Sequence, residues 1–232
     1  MKTTAIVLSA GSGKRMGSDM PKQYMQLEGR PIIYYSLKAF EDSIIDDIIL
    51  VTAEDYIGYC RDEIVDKYGL KKVRAIVKGG VERYDSVYNG IVEASDADYV
   101  FIHDGARPFV NKDIIKRGMD CVLKTGACIA AMPAKDTIKS VGDDNIVTDT
   151  PDRKYLWQVQ TPQIFKRELL LKAYDGMHGE TSSKNITDDA MLIENYTDKK
   201  VSVFEGSYNN IKITTAEDMV IAGAILKSII NE

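Results

Sequence analysis

An excess of positive charge, cysteine pairs and long apolar runs are all absent from this chain of 232 residues, and each absence removes a class of function. A net charge of -5 argues against a nucleic-acid surface, so any cations that act on an anion must be gathered locally. Cys60, Cys121 and Cys128 are odd in number and form no CxxC pair. They read as buried thiols in a reducing compartment, with no disulfide or metal role. No run approaches the ~20 apolar residues of a membrane span. Lys2 followed by Ala5–Ala10 resembles a signal peptide only faintly, because the apolar part is too short for an h-region. A soluble, cytoplasmic protein without nucleic-acid or membrane partners is the expectation.

What is present suffices for a core: 44% of residues are hydrophobic and 28% charged. Apolar strand-like runs alternate with amphipathic helical segments through the first half. Strands are expected at Ala5–Leu8, Asp47–Thr52, Val73–Val77, Tyr99–Ile102 and Ala127–Met132. Between them, helices are expected at Pro31–Phe40, around Ile57–Tyr68, at Tyr84–Glu93 and from about Lys112 to Leu123. Continuous apolar strands separated by helices predict an α/β protein, its mostly parallel sheet covered on both faces. The pattern breaks at Pro133. From there to about Leu156 the chain is polar, with a turn signal at Gly142–Asn145, and reads as a projecting β-hairpin arm too small for a core. A single domain over 1–232, with its arm at about 133–156, is the expected organisation. Beyond the arm, helices are expected at Gln163–Tyr174 and Asp188–Asn195, and strands at Val201–Glu205 and Asn210–Ile213. Thr215–Asp218 should cap a last helix that buries Val220, Ala224 and Ile225.

The most informative segment is the first. The strand Ala5–Leu8 empties into Ala10-Gly-Ser-Gly-Lys-Arg-Met16, followed by Pro21-Lys22-Gln23-Tyr24. Such a loop brings backbone N–H groups close to phosphates while Lys14, Arg15 and Lys22 neutralise charge. It is not a dinucleotide fingerprint. The third glycine, Gly17, comes one residue late, and no acidic residue lies between Pro31 and Tyr35 to hold a ribose. It is not a Walker loop either, since Arg15 follows Gly13-Lys14 and Leu8 stands where the first glycine belongs. A plain strand-to-helix turn would explain the glycines, but not the cluster of cations.

Further groups carry chemistry. Gly79–Ser86 follows a strand and opens a helix, so its N–H groups and Ser86 can meet a base or ribose. His103-Asp104-Gly-Ala-Arg107 ends a strand, where open α/β sheets place ligands. Asp104 there is either a helix cap or, beside a triphosphate, a Mg²⁺ ligand, while His103 reads as structural. Lys212, in an apolar segment, implies an anion to bind.

The motifs AGSGKRM, PKQY, GGVERYDSV, HDGARPF, KDTIK, LWQVQTPQIF, ITDDA and NIKIT stand in this order along nearly the whole chain. Together they resemble the 2-C-methyl-D-erythritol 4-phosphate cytidylyltransferase family of the non-mevalonate isoprenoid pathway. The related ribitol-5-phosphate cytidylyltransferases of teichoic acid synthesis are the alternative. They share the loop, PKQ, TPQ and the late lysine, but the alanine of HDGARPF and the LWQV before TPQ look more like the erythritol-phosphate enzymes. The resemblance implies a Rossmann-like nucleotidyltransferase fold, a homodimer with exchanged arms, Mg²⁺, and transfer of CMP from CTP to a sugar-alcohol phosphate. It implies that Arg15 and Lys22 stabilise the transition state and that Ala10, Gly11, Ser12, Gly13, Gly80, Arg83 and Ser86 hold CTP. Asp104, Arg107, Thr161, Thr187 and Lys212 would surround the sugar phosphate or the metal, with Asp104 as the metal ligand. Thr137 and Arg153 would reach into the partner's site, and Arg153 and Lys212 would serve the acceptor side.

Overall fold

The computed structural model describes residues 1–11, 20–179 and 186–230. Strand β1 (Thr3–Ser9) is buried along almost its whole length. Ala5 and Val7 join one core and Ile6 the other, as the two-residue period of a strand requires. A hairpin of β2 (Gln26–Leu27) and β3 (Arg30–Pro31) leads into α1 (Ile32–Glu41), whose N-cap is Pro31. After β4 (Asp47–Thr52), a short α2 (Ile57–Tyr59) continues as a π-helix over Cys60–Asp66 and still buries Cys60 and Ile64, two of the positions the sequence spacing marked. Strand β5 (Val73–Lys78), α3 (Arg83–Glu93), β6 (Tyr99–Asp104), α4 (Lys112–Thr125) and β7 (Ala127–Pro133) complete the alternation. A hairpin of β8 (Ser140–Val141) and β9 (Val147–Asp149) then precedes β10 (Trp157–Lys166) and α5 (Arg167–His178). The chain closes with α6 (Asp189–Tyr196), β11 (Ser202–Glu205) and α7 (Ala216–Ile230).

Seven strands form one sheet in the order β5-β4-β1-β6-β10-β7-β11. Its pairings are parallel except that β10 runs antiparallel to both β6 and β7. One core lies between the sheet and α1, the π-helical turn and α4, and a second lies under α3, α5 and α6. The mostly parallel sheet covered on both faces is therefore the architecture expected. The hairpin β8–β9 is different, since every residue in its two strands is exposed and no core cluster includes one. Its turn closes where expected, with the Gly142 N–H donating to the Ile146 carbonyl at 2.9 Å.

Three expectations need correction. Residues Gln163–Lys166 are not the start of a helix but the end of β10, and α5 begins only at Arg167. Gln163, Ile164 and Phe165 are each paired to β6 and β7 at once, so every face and edge is covered. With only Ile164 and Phe165 apolar, these four residues carry no period that separates strand from helix. Pro162 falls within the register shift between Val159 and Gln163, where a missing N–H is tolerated. Segment Asn210–Ile213 is not a strand; the Ile213 N–H donates to Ala106, outside any ladder. Helix α7 does have the expected capping box, Thr215 N–H to Asp218 at 2.9 Å and the reverse bond at 3.4 Å. It buries Ala222 and Leu226, however, and leaves Val220 76% exposed. Its apolar residues surround the axis, so the pattern alone could not choose a face.

Helix α4 approaches the sheet closely through Gly118, where a Cβ would meet Ile164 Cδ1 at 2.2 Å and Phe204 Cζ at 2.9 Å. Gly118→Val should therefore lower stability by ~1–3 kcal/mol through overpacking. Gly58→Ala, whose added Cβ meets nothing within 4 Å, serves as the control. Urea midpoints of the two variants would check this, and a Gly118→Val midpoint at the wild-type value would refute the close approach.

Candidate active site

The strand order turns back between β1 and β6. Their pairing brings Leu8 opposite Asp104 at the carboxyl ends, the place where an open α/β sheet leaves a crevice. A cleft of about 220 Å³ opens there. Of the residues expected to act, it gathers Ala10, Gly11, Lys22, Gly80, Arg83, Ser86, Asp104 and Lys212. Ser12, Gly13 and Arg15 lie outside the described residues.

The first wall is built from local sequence. Gln23 donates from Nε2 to the carbonyls of Ser9 and, at 3.0 Å, Gly11, fastening the start of the glycine loop. Tyr24 is fully buried, its hydroxyl shared with Ser9, Thr52 and Cys60. Within PKQY, then, Lys22 faces the cleft and the next two residues hold it in place. The opposite wall is Gly79–Ser86. A Cβ on Gly79 would lie 2.4 Å from the Ala10 Cβ, and one on Gly80 would lie 2.1 Å from the Asp85 Cβ. The Gly80 N–H donates to Ser86 Oγ at 3.0 Å. A capping box between Glu82 and Asp85 starts α3, so Arg83 leaves a rigid first turn.

At the centre is Asp104. Its Oδ2 accepts from Lys212 Nζ at 2.8 Å, with Arg107 Nε 3.9 Å away, and its Oδ1 faces Arg83 Nε at 3.4 Å. Burial by itself raises a carboxyl pKa, but Arg83, Lys212 and Arg107 together hold Asp104 far below the usual range, so it is ionised. Burial likewise lowers Arg107, against the pull of Asp104. Lys212 comes from a segment without a ladder, and the anion its position implied is this aspartate. Arg107 secures that segment by donating from Nη1 to the Asn210 carbonyl at 2.8 Å.

Four other expected residues stand apart from the cleft. Thr161 is buried; its hydroxyl accepts from the Asp104 N–H at 3.1 Å and lies 3.0 Å from His103 Nδ1. The Arg107 carbonyl, 3.1 Å from Nε2, can only accept, so Nε2 carries the proton of the neutral ring and the Thr161 hydroxyl donates to Nδ1. Thr187 is exposed and bonded to Met191. Thr137 and Arg153 are exposed on the arm, Arg153 donating to the Lys135 carbonyl. Sequence reasoning left Gln23, Gln163, Asp189 and Asn210 without a role. Each stands inside a quoted motif, but only the packed structure reveals that its polar end turns inward.

His103 is structural as expected, with both ring nitrogens engaged. Burial lowers its pKa to about 4. Between that value and the ordinary ~6.5 the unfolded chain binds the extra proton, so stability falls as pH drops through this window and the loss is complete below it. About 3 kcal/mol should be lost across the window. Thermal or urea unfolding from pH 7 to pH 4 should show a flatter slope for His103→Gln than for wild type, and equal slopes would refute the assignment.

The comparisons with known proteins agree with this geometry. The family model described as 2-C-methyl-D-erythritol 4-phosphate cytidylyltransferase matches residues 3–228. A relative of that name from Lachnospira eligens is 52% identical, over 97% of this chain and 99% of its own. Another from Alkaliphilus oremlandii is 49% identical, over 98% and 96% respectively. The crystal structure of a 4-diphosphocytidyl-2C-methyl-D-erythritol synthase from Anaerococcus prevotii superposes with a TM-score of 0.85 at 34% identity, covering 97% of this chain and 96% of that one. The fold is thus the Rossmann-like nucleotidyltransferase fold, and these relatives favour the erythritol-phosphate reading over the ribitol-phosphate one. A match that runs through both walls of the cleft and the sheet beneath it settles the kinship: the chain belongs to the 2-C-methyl-D-erythritol 4-phosphate cytidylyltransferase family.

Proposed function

We propose that the cleft transfers CMP from CTP to 2-C-methyl-D-erythritol 4-phosphate, releasing pyrophosphate and 4-diphosphocytidyl-2-C-methyl-D-erythritol for isoprenoid precursor synthesis. The observation that carries this reading is the cluster of Arg83, Asp104 and Lys212 at the end of β6, in one cleft with Ala10, Gly11 and Lys22.

The attacking group is a phosphate monoester, mostly dianionic at neutral pH with a second pKa near ~6. It needs no general base. The groups that could have served as one are otherwise committed: His103 is buried with both nitrogens bonded, and burial raises the thiols of Cys60 and Cys128. The task is to bring two anions together and hold charge on the α-phosphorus as pyrophosphate departs, which cations and oriented N–H groups do by positioning and electrostatics. Arg15 and Lys22 serve the transition state. Ala10, Gly11, Ser12, Gly13, Gly80, Arg83 and Ser86 hold CTP. Lys212, Arg107, Thr161 and Thr187 belong to the acceptor side, completed by Thr137 and Arg153 of the partner's arm.

Among the described residues no three of His, Cys, Asp and Glu gather as a metal cage. Asp104 nevertheless fits magnesium, which commonly takes one or two carboxylates and fills its shell with water and substrate phosphates. An ionised hard oxygen at the end of β6 meets that requirement. Mg²⁺ bound there would neutralise charge on the phosphate oxygens.

The active unit is a homodimer, and each chain is one domain over 1–232 with an arm at 133–156. The hairpin supports this, since Val141, Ile146 and Val147 are exposed on it and join no core cluster among the described residues. A cytoplasmic location agrees with the free cysteines and with the lack, among the described residues, of a helix able to cross a membrane. The net charge of -5 agrees with the absence of a nucleic-acid partner.

Pyrophosphate release on mixing with CTP and either methylerythritol phosphate or ribitol phosphate tests the reaction, and turnover of ribitol phosphate alone would overturn it. Arg15→Ala and Lys22→Ala should each lower turnover by about a hundredfold or more, the usual scale for one preorganised charge. A near-normal turnover number removes that residue from the catalytic set. Subunit exchange between Arg153→Ala and Lys22→Ala variants should restore activity, because a heterodimer pairs one intact arm with one intact nucleotide wall. Tagged heterodimers without regained activity would mean that the arm serves its own chain.

A further inference from the structure

Asp189 is a carboxylate with 0% exposure, placed just after the residue that caps α6. The cap itself is Asp188, whose Oδ1 accepts from the Met191 N–H at 3.0 Å. Asp189 turns the other way and receives Arg83 through both oxygens, Nη1 at 3.0 Å and Nη2 at 2.8 Å. Burial raises the Asp189 pKa while Arg83 opposes it, and with both oxygens accepting from the guanidinium the ionised pair is the form this geometry holds.

The aspartate is itself fixed. Gln163 on β10 accepts from the N–H groups of Asp189 at 2.9 Å and Ala190 at 3.1 Å, and donates to Asp188 at 2.9 Å. The first turn of α6 is thereby bolted to the middle of the sheet. Arg83 is left with Nε near Asp104, and the residue lines the cleft.

The nearest other anion decides what this arrangement is for. Without Asp189, Arg83 would have Asp104 as its available carboxylate, and a bidentate pair is the favoured geometry between the two groups. Such a pair would occupy both Asp104 oxygens and draw the guanidinium over the aspartate that Lys212 also holds. Asp189 prevents this by taking both Nη groups. We infer that Asp189 is a positioning residue, held by Gln163, that keeps Arg83 presented to CTP and confines its hold on Asp104 to the Nε–H. This rests on the reading of the cleft as the CTP site.

The test is CTP binding by calorimetry, without acceptor, for wild type, Arg83→Gln, Asp189→Asn and the double variant. Asp189→Asn should weaken CTP about tenfold, and the double variant should bind as Arg83→Gln does, since residues that act through one contact are not additive. In steady state the KM for CTP should rise while the KM for methylerythritol phosphate stays unchanged, a split that general loosening of the fold would not produce. If Asp189→Asn folds poorly, Arg83→Met with Asp189→Leu replaces the buried pair by apolar side chains and should also bind CTP as Arg83→Gln does. Wild-type affinity in Asp189→Asn, losses that multiply in the double variant, or a Met/Leu variant much weaker than Arg83→Gln would each overturn the inference. Wild-type protein that binds no CTP would overturn the assignment of the cleft, and this inference with it.

Discussion

The ionised carboxylate of Asp104 at the end of β6 is the group around which this site is assembled. A buried charge is tolerated only when paired and hydrogen-bonded, and Asp104 obtains its partners from its own loop and from two distant parts of the chain. Arg83 comes from the first turn of α3, Arg107 from the loop after β6, and Lys212 from the segment after β11. These partners are in turn held by polar bonds beneath the cleft. Arg83 rests on Asp189, and Arg107 ties down the Asn210 backbone beside Lys212. Thr161 fixes the Asp104 backbone, and the Arg107 carbonyl fixes the tautomer of His103.

The antiparallel strand β10 makes that convergence possible. By running between β6 and β7 it sets Thr161 beside Asp104 and Gln163 beneath α6. A helix at this position would have left α6, and with it Asp189, without an anchor in the sheet. The strand's other end emerges toward the arm, with Trp157 paired to Pro133, so one element joins the core of the site to the exposed hairpin.

The charge balance also explains which chemistry the site avoids. Burial lowers the His103 pKa and raises the Cys60 and Cys128 pKa values, so these groups stay neutral and inert near neutral pH. The basic side chains that line the cleft, Lys22, Arg83 and Lys212, suit the stabilisation of phosphate charge more than proton transfer.

The alternation of apolar runs and amphipathic segments determined the α/β architecture by itself, because buried parallel strands and covering helices each leave a pattern in the chain. The cations beside the glycine loop, and Lys212 in its apolar setting, were legible for a similar reason: a charge in such a place implies an anion. The identity of that anion was not legible. Lys212 is 108 positions from Asp104 in the chain, and local spacing carries no information about a contact made through the fold. Neither the inward turn of Asp189 nor the strand state of Gln163–Lys166 could be read, since an Asp-Asp pair at a helix start looks like capping and two apolar residues between two polar ones look the same in helix or strand. Burial of α7 on Ala222 and Leu226 was decided by what it packs against, because its own residues are apolar on nearly every side. Patterns set by the backbone's period were written in the sequence, whereas the direction in which a polar side chain points was settled only when distant elements came together.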